Sequence, residues 1–334
     1  MRKKTGVLLI CAALMAGMLS GCSRKAMLVQ EQQTEGDRKL ITVGFTQVGA
    51  ESDWRVANTE SMQKALSPEN GFELLISDAQ QKQENQTKAV RDFIAQEVDV
   101  IVIAPVTENG WETVLEEARE AGIPVIIVDR RIDVEDESLY TCWVGSDFEK
   151  EGVNAAKWLV DYMEKQGRGK EQHHIVILRG TVGSSAEIGR TKGFSGVIES
   201  YGNYEIVGGE NGDFTQTEGK RAMERCLKRF DEIDVVLSQN DNMAFGAIEA
   251  IKEAGKIPGK DIVIISFDAV KAAFEAMVRG ELNVSVECNP LHGPRVAEVI
   301  KEIMAGKKVE KLQYVEEGIF PAEEAAEELP NRNY

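Results

Sequence analysis

From Leu40 onward, apolar β-branched runs alternate with helix-like stretches over most of the chain. The apolar runs are 41–45, 72–77, 98–105, 124–129 and 140–146 in the first half, and 174–180, 204–209, 235–240, 262–268 and 283–288 in the second. The helix-like stretches lie near 55–66, 80–96, 110–121, 149–166, 186–200, 216–229, 242–254, 270–279 and 293–305. Continuous apolar strands separated by helices are typical of parallel sheets that are covered on both faces. The sequence therefore predicts two α/β halves of similar layout.

The first 21 residues form a different kind of segment. A positive start, MRKK, precedes the short apolar stretch GVLLICAALMAGML, and LSGC closes it. This order is typical of a secretory signal with a lipoprotein cleavage box, in which Cys22 becomes the lipidated first residue. A transmembrane anchor is the alternative, but the stretch is short and ends in small residues. Residues 22–39 are mostly polar and aperiodic, so we expect a flexible tether that holds the folded part outside the cytoplasmic membrane.

The net charge excludes one large class of function. The formal charge is −17, and it becomes −20 without residues 1–21, because that segment carries three basic and no acidic residues. Nucleic-acid binding needs a basic footprint, so we expect no nucleic-acid partner.

Neither the cysteines nor the histidines form a metal or disulfide pattern. After Cys22 the chain has an odd number of cysteines and no CxxC motif, and we expect buried free thiols at Cys142, Cys226 and Cys288. Three histidines lack the spacing of metal ligands, and we expect structural roles for them: His173, His174 and His292. The sequence predicts no metal and no cofactor.

Polar and aromatic side chains follow the predicted strands at the point where each strand ends. The first half supplies Glu51, Trp54, Arg55, Asp78, Asn109, Asp129, Arg130 and Arg131, and the second half supplies Arg190, Phe214, Asn240, Asp241, Asp268 and Glu287. Because the carboxyl ends of parallel strands face one crevice, we expect these groups to converge there.

Such a set of groups suits a sugar. Carboxylates accept hydrogen bonds from hydroxyls, arginines donate to them, and asparagine does both. Aromatic rings cover the C–H faces of a sugar, and Trp54 and Phe214 come from opposite halves of the chain, so they could stack on both faces of one ring. In this interpretation Trp54 is a stacking plate and Arg55 binds hydroxyls.

Simpler interpretations exist for the same residues. Trp54 and Arg55 also fit an exposed first turn of a helix whose N-cap is Ser52 or Asp53. Asp129 and Arg130 fit a surface ion pair, which would contribute almost nothing to stability. The loop GTVGSS has neither GK[ST] nor GxGxxG after the strand, so nucleotide binding is not expected.

Several longer stretches carry a resemblance to a known family. They are VGFTQVGAES.WR, SDAQQKQENQTKAVRDFIAQ, VDVIVIAPVTENGWE, IPVIIVDRRIDV, LRGTVGSSAEIGRTKGF, GDFTQTEGK, NDNMAFGAIEAIKEAGKIPGKDI and VSVECNP. Over about residues 41–320 the chain resembles the sugar-binding proteins of bacterial ABC importers, in the ribose-binding-like group of periplasmic binding proteins of type I. It is most similar to the galactofuranose-binding proteins.

The resemblance implies a fold, lobe limits and a set of ligand contacts. The fold would be two Rossmann-like lobes with parallel sheets, joined by a hinge that the chain crosses three times, near Ser146, Cys288 and Gly318. Lobe one would take 40–145 plus 289–316, and lobe two 146–288 plus 317–334. The ligand contacts would be Glu51, Trp54, Arg55, Asn109, Asp129, Arg130, Arg190, Phe214, Asn240, Asp268 and Glu287. This chain has Asp53 where relatives have glycine, and Asn109 where the galactofuranose binders have threonine.

The function expected from these observations is capture of a monosaccharide, galactofuranose-like or related, and its delivery to an ABC permease. We expect a lipid-anchored monomer that is not an enzyme. One alternative is a sugar-sensing receptor for a signalling partner. Another is a glycosidase-like enzyme that uses two carboxyl groups among Glu51, Asp129, Asp268 and Glu287. Against the enzyme, Arg55, Arg130 and Arg190 should pair with these carboxylates and keep their pKa values low.

Overall fold

The computed structural model describes residues 39–334, so Cys22 and the predicted signal and tether lie outside the described residues, except for Lys39. The strands are β1 (Ile41–Gln47), β2 (Phe72–Asp78), β3 (Val100–Ile103), β4 (Val125–Val128), β5 (Cys142–Gly145), β6 (His173–Arg179), β7 (Tyr204–Asn211), β8 (Val235–Ser238), β9 (Val263–Asp268), β10 (Val284–Glu287), β11 (Leu312–Tyr314) and β12 (Ile319–Pro321). The α-helices are α1 (Asp53–Ala65), α2 (Gln83–Ala95), α3 (Glu112–Glu120), α4 (Phe148–Lys165), α5 (Ser185–Ile198), α6 (Gln216–Arg229), α7 (Asp241–Glu253), α8 (Lys271–Val278), α9 (Gly293–Met304) and α10 (Ala325–Glu328).

The strands form two six-stranded sheets of similar topology. The first has the order β11-β5-β4-β3-β1-β2, and all its pairs are parallel. The second has the order β12-β10-β9-β8-β6-β7, and only the β10–β12 pair is antiparallel. In each sheet the strand order reverses beside the first strand, β1 or β6, which is where open α/β sheets form ligand crevices.

Both sheets are buried on their two faces, as continuous apolar strands require. Along β3, Val100 and Val102 belong to one hydrophobic cluster, whereas Ile101 and Ile103 belong to another. The same alternation between two clusters holds along residues 175–178 of β6. Successive side chains of a strand point to opposite faces, so each sheet separates two apolar layers.

The chain passes between the sheets three times: from β5 to β6, from β10 to β11 and from β11 to β12. We call these three segments, around Ser146, Cys288 and Glu317, the hinge. Glu317 Oε1 accepts hydrogen bonds from Ser146 Oγ (2.5 Å) and from the backbone N–H of Asn289 (2.9 Å). One carboxylate therefore joins all three crossings.

The predicted fold class, two lobes with parallel sheets and a three-crossing hinge, is confirmed. The first sheet takes strands from 41–145 and 312–314, and the second takes strands from 173–287 and 319–321. The residue limits given above for the two lobes stay a prediction. Cys142, Cys226 and Cys288 are buried and free. Within residues 39–334, no helix has both the length and the apolar character needed to cross a membrane.

Candidate functional site

A cavity of about 300 Å³ lies between the lobes, beyond the carboxyl ends of the strands. Its lining consists of Glu51, Ser52, Trp54, Arg55, Asp129, Arg130, Phe148, Ala186, Arg190, Phe214, Asn240, Asp268 and Cys288. Almost all of these side chains are buried, including three arginines and the carboxylates that face them. A buried set of charges is costly unless the groups pair with one another or with a ligand.

Local structure explains how the first loop reaches the cavity. Ser52 is the N-cap of α1, and its hydroxyl accepts a hydrogen bond from the backbone N–H of Arg55 (3.2 Å). Trp54 and Arg55 therefore occupy the first turn of α1, and both are buried rather than exposed. The N-cap at Ser52 is therefore observed, but the first turn is not exposed, and both side chains are part of the cavity lining.

The structure brings together nine of the predicted contact residues. Those in the cavity lining are Glu51, Trp54, Arg55, Asp129, Arg130, Arg190, Phe214, Asn240 and Asp268. Asp129 directly follows β4, Asp268 ends β9, and Asn240 follows β8 as the N-cap of α7. These three side chains lie at the carboxyl ends of strands, where a crevice is expected, and their role as ligand contacts stays a prediction.

Glu287 is not in the cavity lining. Its Oε1 accepts hydrogen bonds from Arg332 (2.6 Å) and from the Tyr334 hydroxyl (2.8 Å), and its Oε2 accepts one from the backbone N–H of Gly318 (2.9 Å). The next residue, Cys288, lies just past the end of β10 and is part of the lining instead. We withdraw Glu287 from the candidate contacts.

Asn109 is also outside the lining, and it is exposed in the loop between β3 and α3. Its backbone oxygen accepts a hydrogen bond from Gln83 Nε2 (2.6 Å). The end of β3 is bound instead by Gln86, which donates to Ala104 O (2.6 Å) and accepts from Val106 N (2.9 Å). The loop thus leaves the strand end before Asn109, and we withdraw this residue too. Asp53, the other departure from the family, is exposed and outside the lining.

Arg55 is the centre of the polar network in lobe one. Its Nε donates to Glu51 Oε1 (3.0 Å), its Nη1 donates to Gln47 Oε1 (3.2 Å), and its Nη2 lies 2.7 Å from Asp129 Oδ2. Burial alone would lower the pKa of Arg55, but Asp129 and Glu51 outweigh it and raise that pKa. The guanidinium also lies 4.6 Å from the ring centroid of Trp54.

Arg130 is paired less completely. Its Nη1 donates to the backbone oxygen of Val106 (2.9 Å), and its nearest carboxylate contact is Glu51 Oε1, at 4.0 Å from Nη2. Burial and the neighbouring Arg55 cation lower the pKa of Arg130 to about 10. Arg130 is therefore the lining arginine with the most unused donor capacity.

Arg190 has the same central place in lobe two. Its Nε donates to Glu151 Oε2 (2.7 Å), its Nη1 donates to the backbone oxygen of Gln239, and its Nη2 lies 3.7 Å from Asp268 Oδ1. Burial alone would lower the pKa of Arg190, but Glu151 and Asp268 contribute to raising it. The cation is thus held from both sides within lobe two.

The two lining aspartates have opposite pKa shifts. Burial would raise the pKa of Asp129, but Arg55 and Arg130 outweigh burial and lower it. Burial raises the pKa of Asp268 well above its usual value, with Asp241 adding to the effect and Arg190 opposing it. The expectation that arginines keep the pKa of every cavity carboxylate low therefore does not hold for Asp268, because its burial, with Asp241 adding to the effect, outweighs Arg190.

Phe214 is held in place by its own backbone and by Gly180. The backbone oxygen of Phe214 accepts a hydrogen bond from Asn240 Nδ2 (3.0 Å). A Cβ atom at position 180 would overlap the ring of Phe214, so glycine is required for this approach. The ring centroid lies 5.1 Å from the guanidinium carbon of Arg130, which belongs to the opposite lobe.

Strained backbone is concentrated at the cavity. Asp129, Phe214 and Asp268 have φ angles of 63°, 61° and 107°, in the region that favours glycine. Non-glycine residues in this region cost free energy, and they cluster at binding sites where the surroundings enforce them. The surroundings therefore hold the backbone of these three residues in place.

Hydrogen bonds join the lobes around the cavity. Asn242 Oδ1 accepts from the backbone N–H of Asp53 (3.1 Å), and Gly183 O accepts from Glu108 N (3.0 Å). Ser185 Oγ accepts from Arg131 N (2.7 Å). The lobes are therefore in direct contact, which agrees with the low exposure of the lining.

Sequence reasoning missed four lining residues: Ser52, Phe148, Ala186 and Cys288. Phe148 begins α4 immediately after the first hinge crossing, and the guanidinium of Arg190 lies 5.3 Å from its ring centroid. The backbone oxygen of Cys288 accepts a hydrogen bond from Trp54 Nε1 (2.6 Å). The sequence could have indicated Phe148 as a lining residue, because it is an aromatic residue directly after a hinge crossing. A small apolar residue such as Ala186 has no feature that would indicate a place in the lining.

Comparison with known proteins gives consistent matches over most of the chain. A family model described as "Periplasmic binding protein domain" matches residues 43–308. The galactofuranose-binding protein YtfQ of Escherichia coli K12 is 46% identical over 296 residues, which cover 87% of this chain and 91% of that protein.

Two solved structures of similar proteins contain furanose sugars. A Mycobacterium smegmatis protein in complex with β-D-fucofuranose is 44% identical, with a TM-score of 0.85, and the match covers 88% of this chain and 95% of that one. The periplasmic component of the arabinose ABC transporter from Shewanella sp. ANA-3, bound to α- and β-L-arabinofuranose, is 47% identical, with a TM-score of 0.82 and coverage of 87% and 95%. The sheets, the hinge and these matches agree, and the chain belongs to the periplasmic binding protein family.

Proposed function

We propose that this protein binds a monosaccharide in its five-membered furanose form and delivers it to an ABC importer. The observation that carries the proposal is the buried interlobe cavity, which joins three arginines, two aspartates and three aromatic rings in about 300 Å³. A few convergent polar groups beside aromatic rings are the lining that a small polar ligand such as a single sugar ring needs. The furanose ligands of two relatives that are 44% and 47% identical support the ring form.

The lining offers both kinds of hydrogen-bonding partner that hydroxyls need. Arg130 supplies donors, and Glu51 Oε2 is buried without a hydrogen-bond partner among residues 39–334. Ionised Asp129 accepts hydrogen bonds, whereas Asp268, with its raised pKa, can also donate one. In a dry cavity each charge-assisted hydrogen bond contributes about 1.5–3 kcal/mol.

Ring size matters because the polar side chains are fixed. The strained residues Asp129, Phe214 and Asp268 leave little room for adjustment. A pyranose in a cavity shaped for a furanose would leave a buried arginine or carboxylate unpaired, and each such group costs about 1–3 kcal/mol. One or two such losses produce a preference of tenfold or more.

A titration with locked sugars tests the proposal. Methyl β-D-galactofuranoside should bind at least tenfold more tightly than methyl β-D-galactopyranoside, because only the furanoside satisfies the fixed donors and acceptors. Free galactose should bind more weakly than the furanoside, because most of it is pyranose in water. Isothermal calorimetry measures both affinities, and the tryptophan fluorescence reports contact with Trp54.

Trp54→Ala is the companion variant. It removes the proposed stacking plate and should weaken furanoside binding by tenfold or more while abolishing the fluorescence change. Equal affinity for the two locked glycosides would refute the ring-form proposal. If no sugar binds and Trp54→Ala has no effect, sugar binding itself is wrong.

The proposal includes membrane anchoring through a lipid on Cys22, on the basis of the LSGC sequence and the polar residues that follow. Cys22→Ala should abolish lipid labelling and either release the protein from membranes or block its processing. Fractionation with and without detergent measures this. Wild-type protein that is soluble without detergent would contradict the anchor.

We propose binding without catalysis, as the name of the relative YtfQ describes. The sugar should be recovered unchanged and in full after long incubation with the purified protein. Steady hydrolysis of a glycoside that is lost in Asp268→Asn would favour the glycosidase alternative, since Asp268 is the lining carboxyl group with a raised pKa.

A further inference from the structure

Glu151 is a buried carboxylate of α4 that does not line the cavity but contacts a residue that does. Its Oε2 accepts a hydrogen bond from Arg190 Nε (2.7 Å), and both side chains are 3% exposed. We propose that Glu151 is a positioning residue for ligand binding, which fixes the orientation of Arg190 from behind the cavity wall. The inference rests on the proposed function, because it concerns the same ligand.

The backbone brings these two residues together by close packing of α4 against α5. A Cβ atom at Gly152 would overlap the backbone oxygen of Arg190, and one at Gly193 would overlap the backbone oxygen of Glu149. The two helices can approach this closely only because these positions are glycine. The main chain of Arg190 therefore lies directly against the residue that follows Glu151.

Two aromatic rings lie close to the guanidinium of Arg190. Its central carbon is 5.3 Å from the ring centroid of Phe148 and 4.7 Å from that of Phe267. Rings restrict movement out of the plane but not rotation within it, since a ring face attracts a cation without a preferred donor direction. The hydrogen bond from Nε to Glu151 supplies a direction, together with the one from Nη1 to the backbone oxygen of Gln239, and Glu151 is the anionic partner of the two.

Without Glu151, the nearest remaining carboxylate for Arg190 is Asp268, now 3.7 Å from Nη2. Asp268 is also in the cavity lining. A buried arginine whose anionic partner is replaced by a neutral amide should rotate toward that carboxylate, since a buried charge without a counter-charge is strongly unfavourable. Both groups would then pair with each other, and the ligand would lose two partners.

A double-mutant cycle tests this role. We expect Glu151→Gln to weaken the binding of methyl β-D-galactofuranoside by about 10- to 100-fold, as is typical when one partner of a buried hydrogen-bonded pair is altered. Arg190→Lys should weaken it by at least as much. The double variant should bind within about twofold of Arg190→Lys, because residues that act through one another are not additive.

Glu149→Gln is the matched control. Glu149 pairs with Lys192 at 2.8 Å across the same two helices, but both side chains are more than half exposed, at 52% and 68%. Binding should change by less than twofold in this variant. Glu151→Asp keeps the charge on a shorter side chain and should recover part of the affinity lost in Glu151→Gln. If Glu151→Gln does not fold, Glu151→Asp takes its place in the cycle, with a smaller expected loss.

The outcomes separate this inference from the proposed function. If wild type binds the furanoside and Glu151→Gln binds within twofold of it, the positioning role is wrong while the function stands. Independent, multiplicative losses in the double variant would also overturn it, because Glu151 would then not act through Arg190. If wild type binds none of the sugars, both proposals fail. A crystal structure of Glu151→Gln should show the guanidinium of Arg190 displaced toward Asp268, and an unmoved side chain counts against the mechanism.

Discussion

Replacing Arg55 by methionine should lower the free energy of unfolding by about 3–5 kcal/mol at neutral pH, as is typical when one partner of a buried ion pair is removed. The cause is that Arg55 serves two carboxylates at once, Glu51 and Asp129, through contacts of 3.0 and 2.7 Å. Both carboxylates would stay buried without it. Affinity for the sugar should fall by more than 100-fold, because the remaining lining no longer has its fixed geometry. Urea unfolding and calorimetry measure the two losses.

The pH dependence identifies the mechanism. In wild type the pKa of Asp129 is lowered, so this group contributes stability above its unfolded pKa, and the contribution is lost as the pH falls through the folded pKa. In Arg55→Met, burial would dominate and favour protonated Asp129. The difference in unfolding free energy between wild type and variant should therefore shrink as the pH falls from 7 toward about 4, the ordinary pKa of aspartate.

Arg91→Met is the control for this experiment. Arg91 forms a two-pronged ion pair with Glu117, at 2.7 and 2.9 Å, but the two side chains are 51% and 37% exposed. Water screens such a pair, so the variant should unfold within experimental error of wild type. Equal effects of Arg55→Met and Arg91→Met would mean that the lobe-one network does not stabilise the protein.

The order of strands and helices could be predicted because each core strand is a continuous apolar run. The predicted runs 98–105 and 124–129 contain β3 and β4, whose ordered pairing extends only over Val100–Ile103 and Val125–Val128. The two edge strands β11 and β12 were not predicted. Each has three residues, and β12 ends in Pro321. A segment of three residues is too short to show a period of two, and only pairing with another part of the chain orders it.

The site was predictable where position alone decides it, at the carboxyl ends of parallel strands. The sequence could not predict which of two adjacent residues at a strand end lies in the cavity lining. Glu287 and Cys288 are adjacent, and the carboxylate of Glu287 bonds to Arg332 and Tyr334 near the chain terminus, while Cys288 is part of the cavity lining. A shift of one residue exchanges the two faces of a strand, and the sequence does not reveal which face the cavity takes.

The charge state of the lining also depends on contacts that span the sequence. Asp241 accepts hydrogen bonds from Ser266 and Ser285, and burial nevertheless raises its pKa to about 7. It lies close enough to Asp268 to add to the raised pKa of that group. No local pattern indicates that two carboxyl groups from different elements share one buried region, so the sign of the shift at Asp268 required the structure.

Glu317→Gln should change the pH dependence of stability, because Glu317 is a largely buried carboxyl group of the hinge. Burial raises the pKa of Glu317 to about 8, and Glu151 adds to the effect, while Ser146, Asn289 N and Arg190 oppose it. A raised carboxyl pKa means that the folded state holds a proton that the unfolded chain has already released. Wild-type stability should therefore decrease as the pH rises from about 4.5, the usual value for glutamate, toward 8.

Glutamine is neutral like the protonated side chain, and it keeps an oxygen that accepts from Ser146 and Asn289. The stability of the variant should therefore not decrease as the pH rises from 5 to 8 through the titration of this position. A pKa raised by one unit corresponds to about 1.36 kcal/mol of unfolding free energy, and partial hydration of Glu317 reduces the effect. We therefore expect the free energy of unfolding of Glu317→Gln, relative to wild type, to increase by about 2–4 kcal/mol between pH 5 and pH 8. Because Asp129, Asp241 and Asp268 are unchanged, their titrations cancel in the difference. Glu316→Gln, at the exposed neighbouring position, should run parallel to wild type. Denaturant unfolding at pH 5, 6, 7 and 8 gives the difference directly, and a constant gap between Glu317→Gln and wild type would show that Glu317 is already ionised in the folded hinge.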